Sequence, residues 1–295
     1  MSLSGSSSLH PALSSGDALP KVDGQQGGQH LFVSLSELIL EHIFYHPSFE
    51  SATTPLDPLQ RSSIDAMLGE QDLKTHFVST LVSIISDAIA PEHKAVRVSL
   101  SNADSHTMRS LLGGDVEPEV VNPALGMRGV SRYAQPEFSA SFALECDVIK
   151  ALRAQGHQVE IVVPFVRALS DAAKIIDLLA EQGLPRGLDG LKVLYTVDVP
   201  SSALMAERLL HYFDGVVINL ENLTQYTLGI DRLDETLHYL FEPQSEAVLQ
   251  LIDLTTKAAE SVNKPVILTS SGVLNYAKIQ EYLVEREHVE LVVTV

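Results

Sequence analysis

The chain has a single cysteine, Cys146, among 295 residues. No intrachain disulfide can form, which fits a reducing compartment. Basic residues are also scarce: 20 Lys and Arg stand against 38 Asp and Glu, a formal charge of -18. A surface that negative repels phosphate backbones and anionic lipid, so nucleic acid and membrane surfaces are not expected partners. An anionic small ligand would need a local cluster of arginines. No apolar run approaches the roughly 18 residues of a membrane span. The N-terminus, MSLSGSSSLHPALSSGD, lacks the basic-then-apolar order of a secretory signal, and a cytoplasmic location is expected. There is no glycine-rich phosphate loop, metalloprotease helix, cysteine ligand set or internal repeat. No short motif settles the chemistry, and no organic cofactor is implied.

What is present is a hydrophobic content of 45%, enough for one sizeable core. Residues 1–29 are rich in Ser, Gly and Gln and read as a disordered lead before a domain spanning 30–295. From His30 onward short apolar runs alternate with helical periods. The strand candidates are His30–Leu35, Ala95–Leu100, Val159–Pro164, Leu191–Val197, Gly215–Leu220, Pro265–Ser270 and Leu291–Val295. Near-continuous apolar runs suit parallel strands covered on both faces. Helices are predicted over Thr75–Ala90, Phe138–Leu152, Ser170–Gln182 and Glu246–Val262, with Ser170 as an N-cap. Another starts at Pro200 and would turn Leu204, Leu209 and Leu210 inward. Repeated strand–helix units give a parallel α/β sheet, a barrel or a doubly wound sheet, with function at the C-terminal strand ends. Seven strands are one short of a (β/α)8 barrel.

Longer strings are more telling than motifs. NPALGMRGVSRY (122–133), VEIVVPFVRAL (159–169), VPSSALMAERLLHYFDG (199–215) and NLTQYTLGIDR (222–232) occur in this order. Together they resemble the C-terminal phosphoenolpyruvate (PEP)/pyruvate-binding domain of phosphoenolpyruvate synthase (pyruvate, water dikinase), a PEP-utilising enzyme. HLFVSLSELILEHIFYHP (30–47) is similar to that family's second strand and following helix. The resemblance implies a (β/α)8 TIM barrel binding PEP or pyruvate with Mg2+. It also implies that the first strand is absent here, and the last helix too. The edges beside His30–Leu35 and Leu291–Val295 would then be covered by the N-terminal segment or by a second chain. The nucleotide-binding and phosphohistidine domains that the family places upstream are lacking, so a separate subunit carrying them, or a homo-oligomer, is an expected partner.

The resemblance also assigns site residues, with several departures. Of two arginines that hold the anion in the family, one position is Ser34 here and the other is Arg97. Arg128 and Arg132 match arginines that line or support the site. The competing role for all three arginines is a packing ion pair. The metal ligands, Glu and Asp in the family, match Asp198 and Asn222, with Glu221 at an adjacent Asn position. Mg2+ prefers hard carboxylate oxygens, so Mg2+ binding is expected to be weak. Glu221 could replace the lost ligand only through a bulge, if it lay on a strand with Asn222. The competing role for Asp198 is capping the helix at Pro200. Thr269 stands where the family has an acid–base Cys, with Ser270 beside it as a candidate substrate contact. An unactivated alcohol has too high a pKa to share a proton near neutral pH. Cys146 reads as a core residue, and His106, His157 and His211 as structural. Arg97, Asp198, Asn222 and Thr269 are expected at one mouth. The resulting expectation is a PEP synthase-like domain without phosphotransfer activity. A metal-dependent carbon–carbon lyase of the citrate lyase type, using Glu221 and Asp198, is the alternative. A non-catalytic regulatory protein on the same fold is a third.

Overall fold

The structure is a computed structural model that describes residues 9–22, 27–51, 56–286 and 289–295. All seven apolar runs are strands: β2 His30–Ser34, β3 Ala95–Ser99, β4 Val159–Val163, β5 Lys192–Val197, β6 Gly215–Asn219, β7 Val266–Ser270 and β8 Val289–Val293. An eighth, β1 Ser14–Leu19, pairs in parallel with both β2 and β8, and the sheet closes as a barrel in chain order. Helices cover the outside, among them Leu73–Ala88, Ser139–Ala154, Leu169–Glu181, Leu220–Leu228 and Glu246–Ser261. Among the described residues no helix is long and apolar enough to cross a membrane.

The expectation of a missing first strand is corrected by β1. That strand falls inside the segment read as a disordered lead; residues 1–8 and 23–26 of the segment lie outside the described residues. Its sequence, SSGDAL, hides it, because Ser, Gly and Asp are poor strand formers. A strand with two partners needs its backbone more than its side chains. Here small side chains are required. A Cβ on Gly16 would strike the Glu290 carboxylate and lie 3.0 Å from Val292 Cγ2.

Two helical readings also change. The helix Leu169–Glu181 starts one residue before Ser170, and its N-cap Ala168 makes no side-chain hydrogen bond. The segment from Pro200 is two short helices, Pro200–Leu204 and Ala206–Leu209, broken at Met205. The break shifts the helical phase: Leu209 and Leu210 are buried, while Leu204 is 66% exposed.

Strand alternation stacks the barrel interior in layers. The middle layer is apolar: Ala18, Phe32, Val162, Leu194, Val217, Ile267 and Val292 form a cluster of their own, separate from the main core. Below it, toward the N-terminal ends, lies an ion network centred on the buried Arg97. Arg97 Nε donates to Glu160 Oε2 at 3.0 Å, and its Nη1 pairs with Glu290. Lys192 Nζ reaches Glu160 Oε1 at 3.1 Å, and His30 Nδ1 lies 2.9 Å from Glu290 Oε2. Burial would raise the Glu290 carboxyl, but His30 and Arg97 hold it below its ordinary value. Above the middle layer the strand ends are polar, and there the barrel opens.

Cys146 is wholly buried in the helix Ser139–Ala154, as its sequence context indicates. Its neighbour Glu145 is buried too. The carboxylate accepts a hydrogen bond from Ser101 N at 2.8 Å, just past β3. Burial pushes the Glu145 pKa up to about 7, against the Ser101 bond and Arg132. The folded state therefore holds a proton that the unfolded chain releases nearer pH 4.5. That contribution to stability is complete below the unfolded value and is lost as pH rises toward 7.

Two measurements follow. Gly16→Val should lower the urea midpoint, by about 1–3 kcal/mol of stability, because the added side chain overlaps Glu290 and Val292. Glu145→Gln keeps the acceptor for Ser101 and cannot ionise. Relative to wild type it should gain stability as pH is raised from 5 to 8, by at most about 1.4 kcal/mol per unit. A wild-type and variant pair with parallel pH profiles would contradict the second expectation.

Candidate functional site

The C-terminal strand ends enclose a cavity of about 310 Å3. Its floor is the apolar layer, through Ala18, Phe32 and Val217. Its walls carry Ser34, Ser99, Thr196, Asn219, Thr269 and Thr294. Its rim carries Arg128 and Arg232 among Glu37, Asp104 and Glu221, with Asn102 and Asn222. Of the expected site residues, Ser34, Arg128, Glu221, Asn222 and Thr269 meet here.

Arg97 does not. Arg97 and Ser99 share the inward face of β3, but two residues advance a strand by roughly 6–7 Å. Ser99 reaches the cavity; Arg97 is one layer deeper, under the apolar floor and held by Glu160 and Glu290. Arg132 is also outside. Its guanidinium pairs with Glu117, lies 3.3 Å from His46 Nε2 and stacks 3.7 Å over the Phe138 ring. Burial raises the Glu117 carboxyl, but His46 and Arg132 outweigh it and hold the group low. Both arginines adopt the packing role.

Arg128 is held at the rim by its neighbours. Nε donates to Asn102 O at 2.9 Å and Nη1 to Tyr226 Oη at 3.0 Å, and the guanidinium lies 4.2 Å over the Phe165 ring. The same ring takes Arg167 on it at 5.0 Å, and Arg167 Nη1 donates to Arg128 O at 3.1 Å. Gly129 makes this approach possible. At φ 57° it takes a left-handed conformation, and a Cβ there would strike Pro164 O and lie 2.7 Å from Phe165 Cβ. Among the described residues, Nη2 of Arg128 makes no hydrogen bond.

Asp198 is fully buried behind Asn222. Its Oδ1 accepts from Asn222 Nδ2 at 2.7 Å and its Oδ2 from Phe165 N at 2.8 Å. It does not cap the helix at Pro200, whose N-cap is Val199 with no side-chain bond. Burial raises the Asp198 carboxyl, against the bonds from Asn222 and Phe165 and the charges of Arg128 and Arg167. Glu221 and Asn222 lie in the first turn of the helix Leu220–Leu228, not on a strand. Consecutive helical residues differ by about 100° rather than 180°, so both line the cavity without a bulge. Glu221 Oε1 is engaged by Ser270 Oγ at 2.7 Å and Ser271 N at 2.9 Å. Ser270 thus faces Glu221 rather than the cavity. Thr269 does face it, and its hydroxyl makes only a 3.4 Å contact with Ile218 O.

These residues fit a hard divalent ion poorly. The two Asp198 oxygens already accept from an amide and a backbone N–H, and one Glu221 oxygen is taken up by the turn at Ser270–Gly272. Among the described residues, no three His, Cys, Asp or Glu side chains are grouped to share a metal. The main rim residue absent from the sequence reading is Arg232, although it ends the NLTQYTLGIDR string. Its charge opposes the upward shift of Glu37, which burial and Glu41 cause. Glu37 itself follows the Ser34 cap on the turn after β2 and carried no sequence signal.

The family described as PEP-utilising enzyme, PEP-binding domain, matches residues 66–271. Phosphoenolpyruvate synthase from Pseudomonas aeruginosa is 37% identical over 85% of this chain and 32% of its own length. That from Escherichia coli is 36% identical over 77% of this chain and 29% of its own. The chain spans about a third of the length of these relatives. Among solved structures, the citrate lyase β subunit complexed with oxaloacetate and magnesium from M. tuberculosis has a TM-score of 0.41 at 12% identity. It covers 90% of this chain and 82% of that one, a likeness too loose to bear on function. The family match and the identity to these synthases agree, and the chain belongs to the PEP-utilising enzymes, as their PEP-binding domain.

Proposed function

We propose that the barrel mouth receives a small carboxylate of the pyruvate or PEP class and no longer supports phosphotransfer. The observation that carries this reading is the Asn222–Asp198 hydrogen bond. A metal site needs carboxylate oxygens open toward the ligand. Here a neutral amide stands between the buried carboxylate and the cavity and takes up one of its oxygens. Thr269 supports the same reading from the opposite wall. Its alcohol lacks the acidity to exchange a proton with an enolate carbon, and its one hydrogen bond among the described residues goes to Ile218 O. Arg128, with an unspent guanidinium edge, is the residue proposed to take the carboxylate, and Arg232 the second cation nearby.

Mg2+ binding in this reading is weak. A split enzyme with nucleotide-binding and phosphohistidine modules on another subunit is the competing arrangement, as is a regulatory homo-oligomer. The lyase reading is less well supported. It requires Asp198 and Glu221 as one working pair, and each is held by hydrogen bonds to a different element.

Two experiments test the proposal. Wild-type protein should neither exchange pyruvate methyl protons for deuterium nor form PEP, with or without Mg2+ and with nucleotide-binding and phosphohistidine modules supplied in trans. Exchange at the rate of an intact PEP synthase would overturn it. Asn222→Asp places two carboxylates side by side. At pH 8 without metal it should lose about 1–3 kcal/mol of stability and recover most of this when Mg2+ is added. Wild type should show almost no Mg2+ response in the same thermal melts; a comparable response would mean that Asp198 or Glu221 already serves a metal.

A further inference from the structure

A carboxylate is costly to bury unless donors of the protein take up its oxygens. Asp198 is 0% exposed. One of its hydrogen bonds comes from Asn222; the other comes from the backbone of Phe165, a residue of unusual geometry. Phe165 has φ 53°, in the left-handed region that residues other than glycine rarely adopt. Its N–H donates to Asp198 Oδ2 at 2.8 Å, and both residues are buried. A charged acceptor on a buried N–H makes one of the stronger hydrogen bonds in a protein. Here it fixes the plane of the peptide between Pro164 and Phe165.

That backbone conformation decides where the ring lies. The Phe165 ring sits under the Arg128 guanidinium, with Cζ 4.2 Å from its centroid. The face of an aromatic ring attracts a guanidinium and sets its plane. Two acceptors complete the placement: Asn102 O takes Nε at 2.9 Å and Tyr226 Oη takes Nη1 at 3.0 Å. Tyr226 meets the same ring edge-on at 5.9 Å, and its hydroxyl donates to Ala124 O at 2.5 Å. Of these supports only the ring depends on a strained backbone. An extended φ at Phe165 would swing its Cβ and ring out from under Arg128. The hydrogen bonds of Asp198 go to Asn222 and Phe165 and to neither Arg128 nor Arg167, so its link to Arg128 runs through backbone and ring.

We propose that Asp198 is a positioning residue for Arg128: by holding the Phe165 N–H it keeps the ring beneath the guanidinium that receives the ligand carboxylate. The inference rests on the small-carboxylate reading above and gives Asp198 a task in that site that needs no metal.

Two readouts on the full chain test it. The Nε–H of Arg128 gives a nuclear magnetic resonance signal that reports its order, and Arg128→Lys identifies that signal by removing it. Calorimetric titration with pyruvate and with oxalate, both in EDTA, reads affinity where metal ligation contributes nothing. Asp198→Ala should broaden the Nε–H signal and weaken both acids about tenfold, whereas Asp198→Asn, which keeps an oxygen for the Phe165 N–H, should restore the signal and bring affinity back to within about threefold of wild type. Phe165→Leu removes the ring and leaves Asp198 in place. It should broaden the signal and weaken both acids about fivefold, and it serves as the second variant should Asp198→Ala fold poorly. An unaltered signal and affinity in Asp198→Ala or in Phe165→Leu would overturn the inference and leave the small-carboxylate reading standing. Binding by Asp198→Asn as weak as that by Asp198→Ala would overturn it as well. Failure of wild type to bind either acid would overturn the small-carboxylate reading alone. A signal lost in Asp198→Ala and restored in Asp198→Asn would then still uphold the positioning role, and one unchanged in both would overturn it.

Discussion

A parallel barrel must satisfy two demands at once: every strand needs two neighbours, and every interior layer must fill without overlap. In this protein both meet at β1. Its backbone joins β2 to β8, and its small inward residues, Gly16 and Ala18, leave space that Glu290, Val292 and Phe32 occupy. The apolar layer built in this way is also a partition. Beneath it Arg97, Glu160 and Glu290 neutralise one another, and the exposed Lys192 joins them through Glu160. Above it the interior opens at the C-terminal strand ends.

The partition explains how an arginine in a barrel strand can be structural. Burying a guanidinium without partners would be very costly, and two carboxylates from β4 and β8 supply them. A ligand reading of Arg97 needs that charge to be uncompensated, and it is not. Arg128 differs because its partners are mostly neutral: a backbone carbonyl, a phenol and a ring face. These orient the guanidinium while leaving its charge available.

The same logic governs the carboxylates. Asp198 and Glu221 are acidic residues at the mouth of a family barrel, yet each is surrounded by hydrogen-bond donors of the protein itself. Asn222 is the pivot. An amide can donate to Asp198 and present its oxygen outward, so a neutral side chain completes an arrangement that two carboxylates could hold only with a cation between them. The cavity walls are lined by hydroxyls and amides, with the carboxylates Glu37, Asp104 and Glu221 and two arginines at the rim.

The sequence by itself determined the α/β alternation and seven of the eight strands, because buried parallel strands read as continuous apolar runs. The strings from NPALGMRG to NLTQYTLGIDR carried the family, and with it the positions of Ser34, Arg128, Asn222 and Thr269 at the mouth. Only the tertiary structure decided the rest. SSGDAL is a strand because two neighbours supply its ladder, which no local propensity records. Arg97 is structural because Glu160 and Glu290, 63 and 193 residues away in the chain, stand beside it. Glu221 reaches the cavity because the strand stops at Asn219 and a helix begins, turning adjacent side chains the same way. Periodicity reports which face a residue takes; how deep it lies in the barrel, and which charges meet it there, depends on register between strands distant in sequence.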